Sequence, residues 1–279
     1  MVRKANVRPG AACGTPRTPA AMHERGGWPA PGRLDRAPAR KRPLPIYHRG
    51  VIFAIQEELL LYYQPGVTKH GLPRDPFKSC VIPRPIGWIS TISREGVHNL
   101  APFSQFQNLT FDPPYVMFAS NQTTVGRKKD TVVNTEQTGE FVWNMATYDL
   151  REAVNKSAEE VPPEVDEFEI SGVTKASSEI VRAARVAESP VHFECKYHQT
   201  IRLPGNGTMG TVDIVFGRVV GIHIKDEVIG ADGRIDVLKI RPIARLGYHE
   251  YTSVESMFSM VIPGNDKRRL EGMEGSARF

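Results

Sequence analysis

Residues 84–93 read RPIGWISTIS, and residues 99–120 read NLAPFSQFQNLTFDPPYVMFAS. Both segments contain short runs of β-branched and aromatic side chains, and turn-forming residues interrupt them at 93–96 (SREG) and 112–114 (DPP). This texture predicts short strands joined by tight turns. Between the two apolar runs, we interpret residues 99–104 as an irregular turn that offers backbone N–H groups.

The same texture extends over most of the chain from Tyr62 onward. The long run over residues 212–225 contains Gly217 and Gly221, and glycine inside a strand indicates a barrel bend or a close approach of another backbone. Many strands without an alternating βα rhythm indicate a mainly β, antiparallel barrel and argue against a Rossmann sheet. The predicted strands are Val81–Ile92, Tyr115–Ser120, Glu140–Met145, Val191–Leu203, Val212–Lys225 and Arg245–Thr252.

Two segments have a helical pattern. We predict one helix over Thr131–Thr138, with Asp130 as its N-cap and Gly139 at its C-terminal end. We predict a second helix over Asp149–Glu160, in which Glu152 completes a capping box with Asp149. Helices are therefore few and short in this chain.

The chain has 279 residues, and its net charge of +5 is unevenly distributed. Residues 1–50 hold nine Arg and two Lys against two acidic residues, whereas the rest of the chain is mildly acidic. We therefore expect no nucleic-acid-binding body, since neutralising phosphates requires a basic face. No run of about 18 apolar residues occurs, so we expect no membrane-spanning helix. Three scattered cysteines form no CxxC pair, which predicts neither a disulfide scaffold nor a zinc finger and favours a cytoplasmic location.

Residues 1–50 contain eight prolines and six glycines with few large apolar side chains, so we expect a disordered basic extension. Three interpretations are a transit peptide, a basic arm for an acidic partner and a dispensable extension. The prolines break the amphipathic helix of a transit peptide, and we favour the dispensable extension. Residues 51–61 are interpreted as a short docking segment. The folded domain is expected over 62–263, followed by a flexible tail over 264–279.

Polar side chains are concentrated between residues 84 and 131. The run 127–131 (RKKDT) lies at the start of a predicted helix, where unpaired N–H groups and the helix dipole favour an anion such as phosphate. Arg84, Ser90 and Thr91 on a nearby strand offer further donors. A lone charge run of this kind is more typical of a solvated turn, and the upstream polar motifs are what favour a phosphate site.

Several catalytic motifs are absent from the sequence, namely GxxxxGK[ST], GxGxxG after a strand, GxSxG and HExxH. Their absence argues against nucleotide hydrolysis, a nucleophile-elbow hydrolase and a zincin. His192, Glu194 and His198 have the spacing of one strand face, but we expect no metal there. Trp88 and Trp143 are expected to fill the core.

Four segments together resemble the flavin reductase-like, FMN-binding split-barrel family. They are RPIGWISTIS, NLAPFSQFQNLTFDPPYVMFAS, RKKDTVVNTEQTGEFVWNMAT and AESPVHFECKYHQTIRLP, in that order along the chain. The resemblance extends over about 200 residues, from Tyr62 to Pro263. The order of the four motifs is more specific than any one of them.

This resemblance implies a six-stranded antiparallel split barrel of Greek-key type with a few short helices. It also implies a homodimer that holds FMN near the subunit interface. Residues at the end of the first motif strand and in the N-A-P-x-S segment would contact the isoalloxazine and the ribityl chain: Ser90, Thr91, Asn99, Ala101, Pro102, Phe103 and Ser104. Residues at the helix start would hold the phosphate, with Arg84 as a helper: Arg127, Lys128, Asp130 and Thr131.

The activity implied by the resemblance is reduction of flavin by NADH or NADPH, with hydride transfer to flavin N5 and onward transfer to a small-molecule acceptor. No side chain needs to act as acid, base or nucleophile, so we name no catalytic residue. Two alternatives remain open, a flavin-binding sensor or carrier and a split barrel specialised for another acceptor. Many relatives carry a His four residues before the position of Gly217, where this chain has Asp213.

Overall fold

The computed structural model describes residues 60–260, which contain twelve strands and five α-helices. The strands are β1 (Arg84–Pro85), β2 (Gly87–Ile92), β3 (His98–Phe103), β4 (Phe106–Phe111), β5 (Pro114–Asn121), β6 (Glu140–Asn144), β7 (Lys175–Ala176), β8 (Arg185–Val186), β9 (Val191–Leu203), β10 (Val212–Ile224), β11 (Ile243–Arg245) and β12 (Tyr251–Ser253). The helices are α1 (Phe77–Cys80), α2 (Asp130–Thr138), α3 (Arg151–Lys156), α4 (Glu167–Ser171) and α5 (Val237–Ile240).

Seven strands form one antiparallel sheet in the order β3-β2-β6-β9-β10-β5-β4. Its two edge strands, β3 and β4, are joined in the chain only by Ser104 and Gln105, so this connection brings the edges together. A Cβ atom at Gly87 would lie 2.8 Å from the Phe106 ring, which shows how closely β2 and β4 approach. The sheet therefore curls into an antiparallel barrel, and the predicted mainly β class is confirmed.

The strand count differs from the expected six. The main sheet has seven strands, and β1-β11-β12 and β7-β8 form two smaller sheets. The predicted strand Val81–Ile92 is divided, because β1 pairs with β11 whereas β2 pairs with β3 and β6. The predicted strand Arg245–Thr252 is also wrong as one element, since a turn closed by the Leu246 amide and the Glu250 carbonyl separates β11 from β12.

The prediction of an irregular turn over Asn99–Ser104 is wrong for most of that segment. Residues 99–103 belong to β3, which pairs with β2 from His98 to Phe103. Pro102 is tolerated because β3 is an edge strand of the sheet. The sequence does not predict β4, whose side chains are all exposed after Phe106, so the alternation typical of a half-buried strand is missing.

Helix α2 confirms the first predicted helix. It ends at Gly139, whose φ of 75° is a left-handed conformation that suits glycine. Its N-cap residue is Lys129, so Asp130 lies inside the first turn and does not cap the helix. Helix α3 covers only residues 151–156 and has no side-chain cap, and the capping box predicted for Asp149 is therefore wrong.

The barrel interior is aromatic. Trp143 stacks on Phe106 with ring centroids 5.3 Å apart, and Trp88 is fully buried in a second cluster, which confirms both tryptophans as core residues. Glycine is required at the centre of β10, because a Cβ at Gly217 would lie 2.4 Å from the buried Phe141 ring. The close neighbour is a side-chain ring and not the backbone that the sequence predicts, and the β9–β10 register shifts between Phe216 and Gly217.

Three predicted segments lie wholly or mostly outside the described residues: the extension 1–50, residues 51–59 of the docking segment, and the tail 264–279. Among the helices within residues 60–260, none combines the length and the apolarity that crossing a bilayer requires. The longest of them, α2, has nine residues.

Candidate functional site

A cleft of about 690 Å³ lies where β3 meets the first turn of α2 and the chain that follows α3. Its volume is in the range of small-molecule sites in proteins. Eight of the twelve residues predicted for the flavin site line this cleft: Asn99, Ala101, Pro102, Phe103, Arg127, Lys128, Asp130 and Thr131. The fold therefore brings together two motifs that are separate in the sequence.

A buried hydrogen-bond network fixes the floor of the cleft. The Asn99 Oδ1 atom accepts from the Thr131 hydroxyl at 2.7 Å and lies 3.2 Å from the Thr91 hydroxyl. The Asn99 amide nitrogen donates to Glu167 Oε1 at 2.8 Å, and the Asn134 amide nitrogen donates to Thr91 at 3.1 Å. Strands β2 and β3 are thereby tied to helices α2 and α4 through side chains that are almost completely buried.

Glu167 is the member of this network that sequence reasoning missed. Its carboxylate is only 6% exposed and also accepts from the Leu100 amide at 3.2 Å. Burial raises the pKa of Glu167, and hydrogen bonds from backbone amides and Asn99 partly oppose that rise. No local sequence signal marks this glutamate, because its partners lie almost 70 residues away in the chain.

A turn that precedes α2 forms the end of the cleft where the sequence predicts a phosphate site. The Arg127 amide donates to the Thr123 hydroxyl at 3.1 Å, and the Thr123 amide donates to the Arg127 carbonyl at 2.9 Å. Gly126 adopts a φ of 76° in this turn, and a Cβ there would lie 2.8 Å from the Thr208 methyl group. A short turn with this packing places Arg127 directly before the first turn of the helix.

The three cations of this turn have different environments. Lys128 is paired with Glu136 of α2 at 2.5 Å. Within residues 60–260, no carboxylate lies within 4.0 Å of the charged groups of Arg127 or Lys129, so these two are the cations free to meet an anion. Burial raises the pKa of Asp130 and the neighbouring Arg127 opposes that rise.

The opposite rim of the cleft is acidic. Glu159 and Glu160 follow α3 and are exposed, and they are continuous with Pro162 and Pro163 along the same wall. The cleft is therefore basic on the α2 side and acidic on the α3 side. A ligand with one anionic end is oriented by such a gradient, because its charge is attracted to the α2 side and repelled by the other.

Four predicted site residues do not line the cleft. Ser90 is fully buried, and its hydroxyl donates to the Ala184 carbonyl at 2.6 Å. Thr91 is also fully buried and acts only inside the network described above. The Arg84 guanidinium donates to main-chain carbonyls, including that of Leu246 at 3.0 Å. Ser104 lies on the edge-strand connection, 3.4 Å from the Gln105 side chain.

Asp213 does not line the cleft either, and its charge is compensated. It is 1% exposed, and both carboxylate oxygens accept from the Arg202 guanidinium, at 2.8 and 3.0 Å. Arg202 lies directly opposite it on β9. The residue that stands in place of the relatives' histidine is thus held in a two-point ion pair.

The group His192, Glu194 and His198 does not form one shared face. His192 and Glu194 are buried whereas His198 is exposed, and register shifts interrupt the β9–β10 pairing. Among residues 60–260, no cluster of three or more His, Cys, Asp or Glu side chains has a metal-binding arrangement.

Glu194 has a different task, which is to bind backbone. Its carboxylate accepts from the consecutive amides of Glu179, Ile180 and Val181 at 2.7–3.0 Å and contacts His223 Nε2 at 2.5 Å. Burial by itself raises the pKa of Glu194, but the amide hydrogen bonds and His223 outweigh it and lower the pKa to about 2. The carboxylate therefore remains charged inside the fold.

The residues at the α2 end of the cleft fit a phosphate group. The amides of Val132 and Val133 donate to the Lys129 carbonyl, whereas those of Asp130 and Thr131 have no main-chain acceptor within residues 60–260. Arg127 and Lys129 add two cations beside these two amides. The β3 wall, with the apolar Ala101, Pro102 and Phe103, fits a flat ring system better than a charged group. The donor chemistry therefore suits a ligand with a planar ring at one end and a phosphate at the other.

Comparison with known proteins agrees with this geometry. The profile of the family described as "Flavin reductase like domain" matches residues 79–249. An uncharacterised protein of Halalkalibacterium halodurans is 38% identical over 189 residues, which cover 68% of this chain and 90% of that protein.

Solved structures give the same result. Nitrilotriacetate monooxygenase component B from Bacillus cereus has a TM-score of 0.65 and 29% identity, covering 72% of this chain and 98% of its own. A putative flavin reductase with a split barrel domain from Shewanella frigidimarina has a TM-score of 0.58, covers 67% of this chain and 89% of its own, and at 22% identity supports the fold alone. The motif order, the barrel and the profile match lead to one conclusion, that this chain belongs to the flavin reductase-like domain family.

Proposed function

We propose that this protein binds FMN in the cleft between β3 and α2 and transfers hydride from NADH or NADPH to the flavin. The observation that carries the proposal is the α2 end of the cleft, where the amides of Asp130 and Thr131, which have no main-chain acceptor within residues 60–260, lie beside Arg127 and Lys129. The family match supports a flavin as the ligand. The phosphate site favours the mononucleotide over riboflavin.

The residues of this chain have binding and positioning roles in the proposed reaction. Arg127, Lys129 and the main-chain amide of Thr131 hold the phosphate end, because the Thr131 hydroxyl is already donated to Asn99. Ala101 to Phe103 provide an apolar wall for the ring. FMN held by these residues would supply the redox chemistry, namely hydride acceptance from NADH or NADPH and onward transfer of electrons to an acceptor. The role of the protein is to exclude water from the face of the flavin ring and to set the distance between the flavin and the nicotinamide ring.

The buried network serves this task by keeping the cleft in one shape. Asn99 is held from both ends of its amide, by Thr131 on one side and by Glu167 on the other. Thr131 lies in the first turn of α2, so its hydrogen bond with Asn99 connects the phosphate end of the cleft with the β3 wall. A preorganised site loses less entropy when the ligand binds.

We further propose a homodimer with the flavin near its interface. Support comes from apolar side chains that remain exposed on β4 and at the end of the β9–β10 hairpin, including Phe111, Leu203 and Met209. Large apolar side chains exposed on an edge strand such as β4 can be covered by a second copy of the chain. We also propose a cytoplasmic location, which the free thiols of Cys80 and Cys195 favour.

The test compares FMN with riboflavin. We expect FMN to bind to the purified protein, and we expect the paired substitutions Arg127→Met and Lys129→Met to weaken FMN binding by about 10- to 100-fold. Riboflavin affinity should not change, because riboflavin has no phosphate. Arg94→Met, on the exposed turn between β2 and β3, is the matched control and should leave both affinities unchanged.

The second half of the test is anaerobic addition of NADH or NADPH to the FMN-loaded protein. Bleaching of the flavin spectrum supports the oxidoreductase. A bound flavin that neither nucleotide reduces supports a sensor or carrier instead. A protein that binds FMN and riboflavin equally well in all variants overturns the phosphate site.

A further inference from the structure

A second cavity, of about 530 Å³, is lined by residues of α3, β11 and β12. Its floor is apolar, because Val154 of α3 and Ile243 of β11 are both buried there. Its walls include the rings of Tyr148 and Tyr251. An apolar floor with aromatic walls and a polar rim is the usual composition of a small-molecule site.

Guanidinium groups back both aromatic walls of this cavity. The Arg151 and Arg241 guanidinium carbons lie 4.2 and 4.1 Å from the Tyr148 ring centroid. The Arg245 guanidinium lies 4.5 Å from the Tyr251 ring centroid and donates to its hydroxyl at 2.5 Å. Stacking against a ring restricts each arginine before any ligand arrives.

Arg151 is the cation that lines the cavity itself. One of its terminal nitrogens donates to the Tyr148 carbonyl at 2.8 Å, which fixes the direction of the guanidinium fork. Among the described residues, only the Glu152 carboxylate lies within 4.0 Å of Arg151, with 3.6 Å between its Oε1 atom and Arg151 Nε, and its side chain is 80% exposed. A water-screened contact of this kind is weak, so an incoming carboxylate can replace it.

Two further carboxylates lie near Arg241, the second arginine on the Tyr148 ring. Asp149 and Glu255 lie 3.8 and 4.0 Å from Arg241, and both side chains are mostly exposed. Glu255 lines the cavity but accepts a hydrogen bond from the Ser253 hydroxyl at 2.8 Å. The cavity therefore offers a positioned, poorly neutralised guanidinium above an apolar floor.

We propose that this second cavity binds a small planar aromatic carboxylate. The ring would lie on Val154 and Ile243 between the tyrosine walls, and the carboxylate would take a two-point hydrogen bond from Arg151. The ligand would thus contact α3, whose following residues, Ser157 and Ala158, line the flavin cleft. The site is separate from the residues assigned to FMN.

The experiment uses 4-fluorobenzoate as the probe and follows its ¹⁹F NMR signal during titration with the full-length protein. We expect saturable binding, both to FMN-free protein and to protein saturated with FMN. Arg151→Met should weaken binding by about tenfold or more, since a charged hydrogen bond is lost. Arg94→Met is again the control, and 4-fluorobenzyl alcohol, which lacks the carboxylate, should bind at least tenfold more weakly.

Three results overturn the proposal. One is the absence of saturable binding at millimolar probe concentrations. Another is equal binding by the wild type and Arg151→Met, with circular dichroism confirming that both are folded. The third is loss of probe binding on addition of FMN, which would place the aromatic ring in the flavin cleft. FMN affinity measured on Arg151→Met separates this outcome from failure of the flavin proposal, because Arg151 does not line that cleft.

Discussion

Folding stability should depend on pH through one buried imidazole, that of His192. This residue lies on the central strand β9, is 2% exposed, and has its Nε2 atom 2.8 Å from the Val186 carbonyl. Burial lowers the pKa of His192 to about 4, and the cations Arg185 and Lys225 act in the same direction against the Val186 hydrogen bond. The folded protein therefore keeps this imidazole neutral at pH values where the unfolded chain protonates it.

The size of this change in stability follows from the difference between the pKa values of His192 in the folded and unfolded chain. An imidazole in the unfolded chain has a pKa of about 6.5, so the folded pKa is depressed by about 2.5 units. A depressed pKa contributes stability that is present above pH 6.5 and is lost as pH falls toward 4. At about 1.4 kcal/mol per unit, the full loss is about 3 kcal/mol.

His192→Gln isolates this contribution, because the glutamine amide keeps a donor for the Val186 carbonyl but does not titrate. Urea unfolding can be followed by the fluorescence of the buried Trp88 and Trp143. As pH falls, we expect the free energy of unfolding to decrease more steeply in the wild type than in the variant. The two unfolding free energies should converge by about 3 kcal/mol between pH 7 and pH 4.

The matched control is His198→Gln, which removes an exposed imidazole from the same strand. We expect its stability to follow the wild type at every pH. Parallel curves for the wild type and His192→Gln across this range would refute the reasoning, since they would mean that the buried imidazole titrates equally in both states.

Three further predictions concern the cleft and the core. Glu167→Gln should lower the free energy of unfolding by about 1–3 kcal/mol in urea and weaken FMN binding, because an amide must turn a donor toward the Asn99 or Leu100 N–H; unchanged values would contradict the network. Gly217→Ala should cost about 1–3 kcal/mol in thermal unfolding through its contact with Phe141, and an unchanged Tm would contradict it. Deletion of residues 1–50 should leave FMN affinity unchanged by fluorescence titration, and a large loss would contradict the separation of extension and cleft.

Strands with strong alternation or long apolar runs could be predicted from sequence. The bounds of β9 match the prediction at Val191–Leu203, and β10 differs by one residue, because both strands are long and rich in β-branched residues. The edge strands β3 and β4 escaped prediction for different reasons. Strand β3 contains Pro102, which an edge strand tolerates, so its sequence resembles a turn although its side chains are partly or fully buried. Strand β4 exposes every side chain after Phe106, so it lacks the alternation of a half-buried strand.

The candidate site, like the strands, could be predicted from the sequence only in part. The cleft residues on β3 and α2 belong to contiguous motifs, and sequence reasoning found them. Ser90 and Thr91 lie in one of those motifs, but both are fully buried and neither lines the cleft, which the motif alone does not reveal. Glu167 was missed because its position against Asn99 depends on how α4 packs on β3, a long-range contact that no local pattern records.

The carboxylate of Glu194 also determines which substitutions the chain tolerates around residue 180. Within residues 179–181, its hydrogen bonds are with main-chain N–H groups, and the side chains of Glu179 and Ile180 are exposed. Sequence drift at these two positions should therefore be almost unrestricted, with proline as the forbidden residue because it lacks the N–H. The shape of the loop therefore depends on a residue thirteen to fifteen positions away, and the sequence of the loop itself carries little sign of that dependence.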